Sequence, residues 1–404
     1  MSIVLIDQAI SKPATDQRTK RYLPACFIIA GLAFAATAYA QKPIESAVQL
    51  DAKNELVPQN LLRLVHAPEV QRELGFSPEQ VNGLEEFFEH VDGTWFRSRV
   101  LAVDKQRLIM AELETKLHAW LSQHASTEQR ERLQQLEYRS LGIRMLLRND
   151  AAKQIGLDAA QRAVFNKLAR ATQDALAAAQ VAAQKGEIPE TLQSAAMEAT
   201  QAEQAALKTQ LRPEQQQKIT KLLGAPFDTS TLERIYPMAP ELMPVEHWLN
   251  SKPLQLKELR GKVVLIHFYA FQCHNCHANF KHYNKWQEEF GGEDVVVIGI
   301  QTPETSTERD PQAVTAAAKE RGFQFPVLID LESANWKAWS NTMWPTIYVI
   351  DKQGYIRYLW QGELNWQGAT HDKTVHDLLI KLVQEDAELA SPVEKTPEKQ
   401  TGNL

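Results

Sequence analysis

The strongest constraint on this chain is a strand that runs into a pair of cysteines. Val263-Val264-Leu265-Ile266-His267-Phe268-Tyr269 is a near-continuous apolar run, and after Ala270-Phe271-Gln272 the motif Cys273-His274-Asn275-Cys276 leads into a stretch that reads as helix to about residue 290. Runs of the same strand type recur at 295–300, 326–329 and 346–350, with helical stretches at about 277–290, 311–321 and 371–386. Strands this apolar, alternating with helices, predict an α/β sheet covered on both faces. Residues 355–360, after the turn Lys352-Gln353-Gly354, read as an added antiparallel strand.

The placement of the cysteines has chemical content. A Cys at a helix N-terminus meets the positive end of the helix dipole and unpaired backbone N–H groups, and both favour thiolate. Cys276, one turn on, is placed to close a Cys273–Cys276 disulfide with little backbone movement. His274 and Asn275, between the two, are positioned to tune the redox poise. The chain has only three cysteines, Cys26 being the third, so a disulfide-stapled scaffold is excluded by arithmetic. Cys273-His274-Asn275-Cys276-His277 also matches the c-type haem attachment pattern, with Met343 downstream as an axial candidate. The strand leading into the motif and the strands after it favour dithiol chemistry over haem. A zinc site is cramped, its four ligands falling within five residues, so no metal and no bound cofactor is expected.

The region from 45 to 225 has a different character. It is rich in Ala, Gln, Leu, Glu and Arg, which favours helices. Ser77-Pro78-Glu79-Gln80, Ser126-Thr127-Glu128-Gln129 and Asp158-Ala159-Ala160-Gln161 are helix-start signatures, and Gly93, Gly142, Gly186 and Gly224 are expected helix stops. Residues 72–80 match 153–161, and 128–133 match 214–219, so two copies of a helical unit are expected at about 70–142 and 151–224. Prolines at 226, 237, 240, 244 and 253 mark the boundary to the second part, 226–388, and a polar tail from 389 is expected to be disordered.

Residues 1–40 read as a signal peptide or an N-terminal anchor. Lys12, Arg18, Lys20 and Arg21 precede an uncharged run from 22 to 40 that ends in Ala38-Tyr39-Ala40, a small-residue cleavage pattern. The run is close to the roughly 20 residues that span a bilayer, but small residues crowd its end and favour cleavage. The expected destination is outside the cytoplasm, most simply the periplasm. A formal net charge of -6 supplies no basic field for nucleic acid.

Around the cysteines the chain resembles exported thioredoxin-like proteins of the TlpA/ResA type, and in detail the periplasmic thioredoxin-like domain of DipZ proteins. The resemblance spans about 245–365. It rests on Gly261-Lys262-Val263, Cys273-x-Asn275-Cys276, Thr302-Pro303-Glu304, Glu308-x-Asp310-Pro311, Phe325-Pro326-Val327, Trp336, Trp344-Pro345, Ile350-Asp351 and Gly362-Glu363. It implies a thioredoxin fold, a central mixed sheet flanked by helices, preceded here by an all-α repeat region. It implies that Pro345 is a cis-proline facing the disulfide and that Trp344 lines the substrate groove. The implied activity is dithiol–disulfide exchange on protein substrates, with a membrane electron donor as a further partner. The helical half is more faintly similar to Spy-type LTxxQ proteins, which raises a binding or chaperone-like role as the alternative. Two positions depart from the family pattern. Gln272 stands where thioredoxins carry Trp, and His267 aligns with their buried acid, where it could shuttle protons if it titrates. A peroxidase of the peroxiredoxin type shares the fold but needs Thr where this chain has Ala270.

Overall fold

The computed structural model describes residues 55–184, 188–292 and 294–385. The segment expected to direct export, Cys26, Gly186 and the tail from 389 lie outside the described residues. The chain divides into two compact units, one built from residues up to Phe76 and Ala102–Leu232, the other from Ser77–Leu101 and Glu233 onward.

In chain order the first helices are α1 (Leu61–His66), α2 (Pro68–Glu73), α3 (Pro78–Ser98), α4 (Val103–His124), α5 (Thr127–Leu141), α6 (Asn149–Ile155), α7 (Ala159–Gln184), α8 (Glu190–Thr209) and α9 (Pro213–Leu223). All but α3 belong to the first unit, whose core gathers Tyr138, Met145, Ile155, Phe165, Ile219 and Leu223. The helix starts form as the sequence expects. Ser77 with Gln80 and Ser126 with Gln129 each make reciprocal capping bonds, and Asp158 does the same with Gln161. The glutamines also reach further than capping requires. The Gln129 amide donates to the Gly75 carbonyl at 3.2 Å, and Gln215 repeats that contact on Gly156 at 2.8 Å. Gln215 is buried and pairs amide to amide with Gln161. Gly142 and Gly224 follow helix ends with positive φ. Gly93 does not stop a helix. It lies inside α3, because the cost of one helical glycine is only about 1 kcal/mol and the buried face continues past it through Trp95 and Phe96.

The second unit contains one six-stranded sheet. Its elements are β1 (His247–Leu249), β2 (Val263–Tyr269), α10 (His274–Phe290), β3 (Val295–Gln301), α11 (Pro311–Glu320), β4 (Val327–Ile329), α12 (Ala334–Ala338), β5 (Thr346–Ile350), β6 (Ile356–Gln361) and α13 (His371–Gln384). The strand order is β1-β4-β3-β2-β5-β6. Strands β2, β3 and β4 run parallel, while β5, β6 and β1 pair antiparallel. This mixed sheet with flanking helices is the thioredoxin-like fold that the resemblance implies. Every residue of β2 is buried, which is why the sequence shows no alternation there. The side chains of one sheet face pack with α10 and α13 around Val263, Leu265, Tyr283, Trp286, Val375 and Leu379. Those of the other face, Val264, Ile266, Phe268, Ile298, Ile300 and Ile350, pack around Trp339, Tyr348 and Phe96 of α3.

The element α3 is thus part of the second unit. The sequence partition at residue 226 leaves it with the helical half, since composition and repeat register alike mark it as another helix of that half. It buries Leu84, Phe88, Val91, Trp95 and Phe96, and Phe88 and Phe96 meet aromatic residues of the second unit. Phe96 lies edge-on to Trp339 at 5.8 Å, and Phe88 edge-on to Tyr355 at 6.5 Å. The Asp92 carboxylate accepts from the Met238 N–H at 2.8 Å, and the Arg99 guanidinium beyond the helix donates to the Ser340 carbonyl and the Tyr348 hydroxyl.

Candidate active site: a dithiol at a helix N-terminus

Strand register gathers the site at one end of the sheet. Strand β2 ends at Tyr269, level with Gln301 at the end of β3 and beside Phe268, which pairs with Thr346 at the start of β5. The loop 270–273, the loop after Gln301 and Trp344-Pro345 therefore emerge side by side. Cys273 is the N-cap of α10, and its carbonyl accepts from the N–H groups of Cys276 and His277. Cys276 is fully buried and Cys273 half-buried, both as free thiols.

The two sulfurs are held unequally. The Cys276 thiol donates a hydrogen bond to Cys273, and the backbone N–H groups of Cys276 and Asn275 add to it. Together these lower the Cys273 pKa below that of an ordinary thiol, against burial and the nearby Glu304 carboxylate. Burial, followed by the hydrogen bond given to Cys273, drives Cys276 strongly upward. The first is biased toward thiolate and the second toward thiol. Because the two are coupled, the titration belongs to the pair.

His274 and Asn275 are exposed in the first turn of α10, and Asn275 acts on Cys273 through its backbone N–H. His277 is engaged elsewhere, its Nε2 bonding the Phe271 carbonyl at 2.7 Å. The Trp344–Pro345 bond is cis, and the Pro345 carbonyl accepts from the Gly362 N–H. Trp344 stacks on Trp336 at 4.0 Å and packs at the margin of the same core as Cys273.

His267 lies fully buried on the face behind the dithiol, stacked on Tyr283 at 3.8 Å. Opposite it on β3 is Gly299, where a Cβ would stand 3.1 Å from the imidazole, so the strand gives up a side chain to seat the ring. Neither ring nitrogen has a hydrogen-bond partner among the described residues. Burial lowers its pKa to about 3, which keeps the ring neutral in ordinary buffers.

One residue of the site carried no role in the sequence. Glu308 is fully buried, and its carboxylate bridges two loops. One oxygen accepts from the Gln272 N–H at 2.7 Å, the other from the Glu304 and Thr305 N–H groups at 2.7 and 2.9 Å. The signal was present as a Glu in the Glu308-x-Asp310-Pro311 match, but only the fold shows what it touches.

The region that carries the dithiol is similar to known proteins. Residues 239–359 match the model of the AhpC/TSA family. Protein DipZ of Mycobacterium tuberculosis is 36% identical over 152 residues, 37% of this chain and 21% of DipZ. The thiol–disulfide oxidoreductase YkuV of Bacillus subtilis is 28% identical over 123 residues, 30% of this chain and 82% of YkuV. Among solved structures, a thiol–disulfide isomerase from Corynebacterium glutamicum aligns at 25% identity and a TM-score of 0.33, over 37% of this chain and 97% of that one. The chain spans about a fifth of the length of DipZ.

Proposed function

We propose that this chain, whose residues 239–359 are a thioredoxin-like domain of the AhpC/TSA family, is an exported thiol–disulfide oxidoreductase acting on protein substrates through Cys273 and Cys276. The observation that carries the reading is the asymmetry of the pair: a half-buried Cys273 capping α10 beside a fully buried Cys276, with hydrogen bonding that lowers the first thiol's pKa and burial that raises the second's. In the reducing direction the Cys273 thiolate attacks a substrate disulfide, forming a mixed disulfide and expelling one substrate thiolate. Cys276 then gives up its proton and attacks the Cys273 sulfur, which closes the Cys273–Cys276 disulfide and releases the second substrate thiolate. Two electrons pass from the dithiol to the substrate, and the reverse sequence oxidises a partner. Pro345 and Trp344, emerging beside the pair, would position the substrate backbone.

The competing chemistries fit less well. The imidazole that haem attachment would recruit, His277, is tied to the Phe271 carbonyl, and Ala270 offers no hydroxyl for a peroxidase site. Export follows from the character of residues 1–40. Electrons delivered outside the cytoplasm imply a membrane donor. No helix among the described residues is long and apolar enough to cross a membrane.

The test is trapping. A Cys276→Ala variant cannot resolve the mixed disulfide, so it should accumulate covalent adducts with substrate proteins that dissolve on reduction. The Cys273→Ala variant should form none. Equal adducts from both variants, or none from either, would sink the reading.

A further inference from the structure

We propose that Glu308 is a positioning residue for the dithiol: it fixes the backbone that presents Cys273 and so sets that cysteine's reactivity. The assignment rests on the exchange reading above and names what prepares the same site. Three backbone N–H groups converge on one buried carboxylate, and one of them belongs to Gln272, the residue directly before Cys273. A second tie runs through side chains. The Gln272 carbonyl oxygen accepts from the hydroxyls of Thr305 and Thr307 at 2.8 and 3.0 Å, and the Glu308 backbone carbonyl receives the Gln301 amide at 3.4 Å. The approach to α10 is therefore clamped to the loop after β3 on both sides of Gln272. The Cys273 thiolate is favoured first by the Cys276 thiol and then by the N–H groups of Cys276 and Asn275, and the reach of Cys273 to all three depends on how that approach is held.

Replacement by glutamine separates position from charge. An amide has one acceptor oxygen and one donor nitrogen. The oxygen fits the side where two N–H groups converge, which turns the NH2 group against the Gln272 N–H. The Gln272 tie is then lost while the side chain keeps its volume. Loss of position weakens the hydrogen bonds to the thiolate and raises the Cys273 pKa. Loss of the negative charge alone acts in the opposite direction. The sign of the change identifies the cause.

The measurement is the pH profile of Cys273 alkylation by iodoacetamide in the full chain, read at the Cys273 peptide by mass spectrometry so that the other cysteines do not contribute. In Glu308→Gln the midpoint should rise by about 0.5–1 pH unit, a three- to tenfold loss of thiolate at a fixed pH below it. Thr305→Val, which removes an exposed hydroxyl, should move the midpoint the same way by less, and covers the case in which the glutamine variant does not fold. An unchanged midpoint in both variants, or a fall in Glu308→Gln, overturns the assignment. Wild-type exchange with substrate disulfide is scored separately. If it is absent the exchange reading fails whatever Glu308 does, and if it is present while the midpoints stay fixed only the role of Glu308 fails.

Discussion

Phe96→Ala tests whether a helix that ends at Ser98, far ahead of the first strand at His247 in the chain, is part of the sheet's core. Phe96 is 3% exposed, edge-on to Trp339 at 5.8 Å and 6.1 Å from Tyr348, with the Arg99 guanidinium 3.7 Å above its ring. Truncating a buried Phe to Ala costs about 3–5 kcal/mol, through lost transfer energy and the cavity left behind. The rings around it are held by other contacts, Trp339 by Phe268 and Tyr348, so the site has little freedom to collapse and the upper half of that range applies. In a unit of this size each kcal/mol lowers the midpoint by about 2–4 °C, so the expected drop is about 8–20 °C. Tryptophan fluorescence is the natural probe, because every Trp except Trp120 lies in the second unit. Glu86→Ala, on the exposed side of the same helix, is the control and should stay within about 0.5 kcal/mol. A Phe96→Ala midpoint no lower than that of Glu86→Ala would refute the placement of α3. The same reasoning predicts that a fragment beginning at residue 226 exposes an apolar sheet face and aggregates.

Three further outcomes follow from the titratable groups. Cys276→Ala removes the largest influence holding the Cys273 pKa down, so the alkylation midpoint of Cys273 should rise relative to wild type. His267→Phe keeps the ring stack and removes two unpartnered nitrogens; the loss should be small or the variant more stable. Because the folded His267 pKa is depressed to about 3 from 6.5, the unfolded chain binds the proton first. Wild-type stability should therefore fall as pH drops below 6.5, by up to about 1.4 kcal/mol per pH unit. The variant should lack this loss between pH 6.5 and 5 in urea titrations. Glu114 shows the opposite sign. Burial, followed by Glu137, raises it to about 8, although it accepts the Leu61 N–H at 2.9 Å. Its stabilisation is present below pH 4.5 and lost as pH rises through 8. Glu114→Gln should thus gain stability over wild type above pH 8 by circular dichroism melts of the first unit.

What was legible in the sequence was what repeats or runs. The strands β2, β3 and β5 are largely apolar runs and β6 follows a turn signal, and their ends fall within a residue or two of the expected ones. The helix starts were legible because a cap and a Gln three residues on leave a local signature. Strand β1 was not, since three residues cannot show a period, and it is defined only by its pairing with β4. Helix α12 is equally short. The role of α3 was hidden because amphipathic spacing tells which face is buried but not what buries it. Glu308 was hidden for a related reason: its partners are backbone N–H groups of residues 272, 304 and 305, which carry no side-chain signal. His267 was singled out as a strand His with a role only if it titrated; its burial lowers its pKa to about 3, which weighs against that role.

The account turns on one measurement, an equilibrium redox titration of the full chain against glutathione, with the Cys273–Cys276 pair scored by alkylation and mass spectrometry. A single two-electron transition should appear in wild type and disappear in Cys276→Ala. Its potential should lie above that of a structural disulfide, which falls below about −300 mV, because the accessible thiolate makes a good leaving group. A pair that stays dithiol across the whole range, or a disulfide that no accessible potential reduces, would contradict dithiol–disulfide exchange as the work of this site.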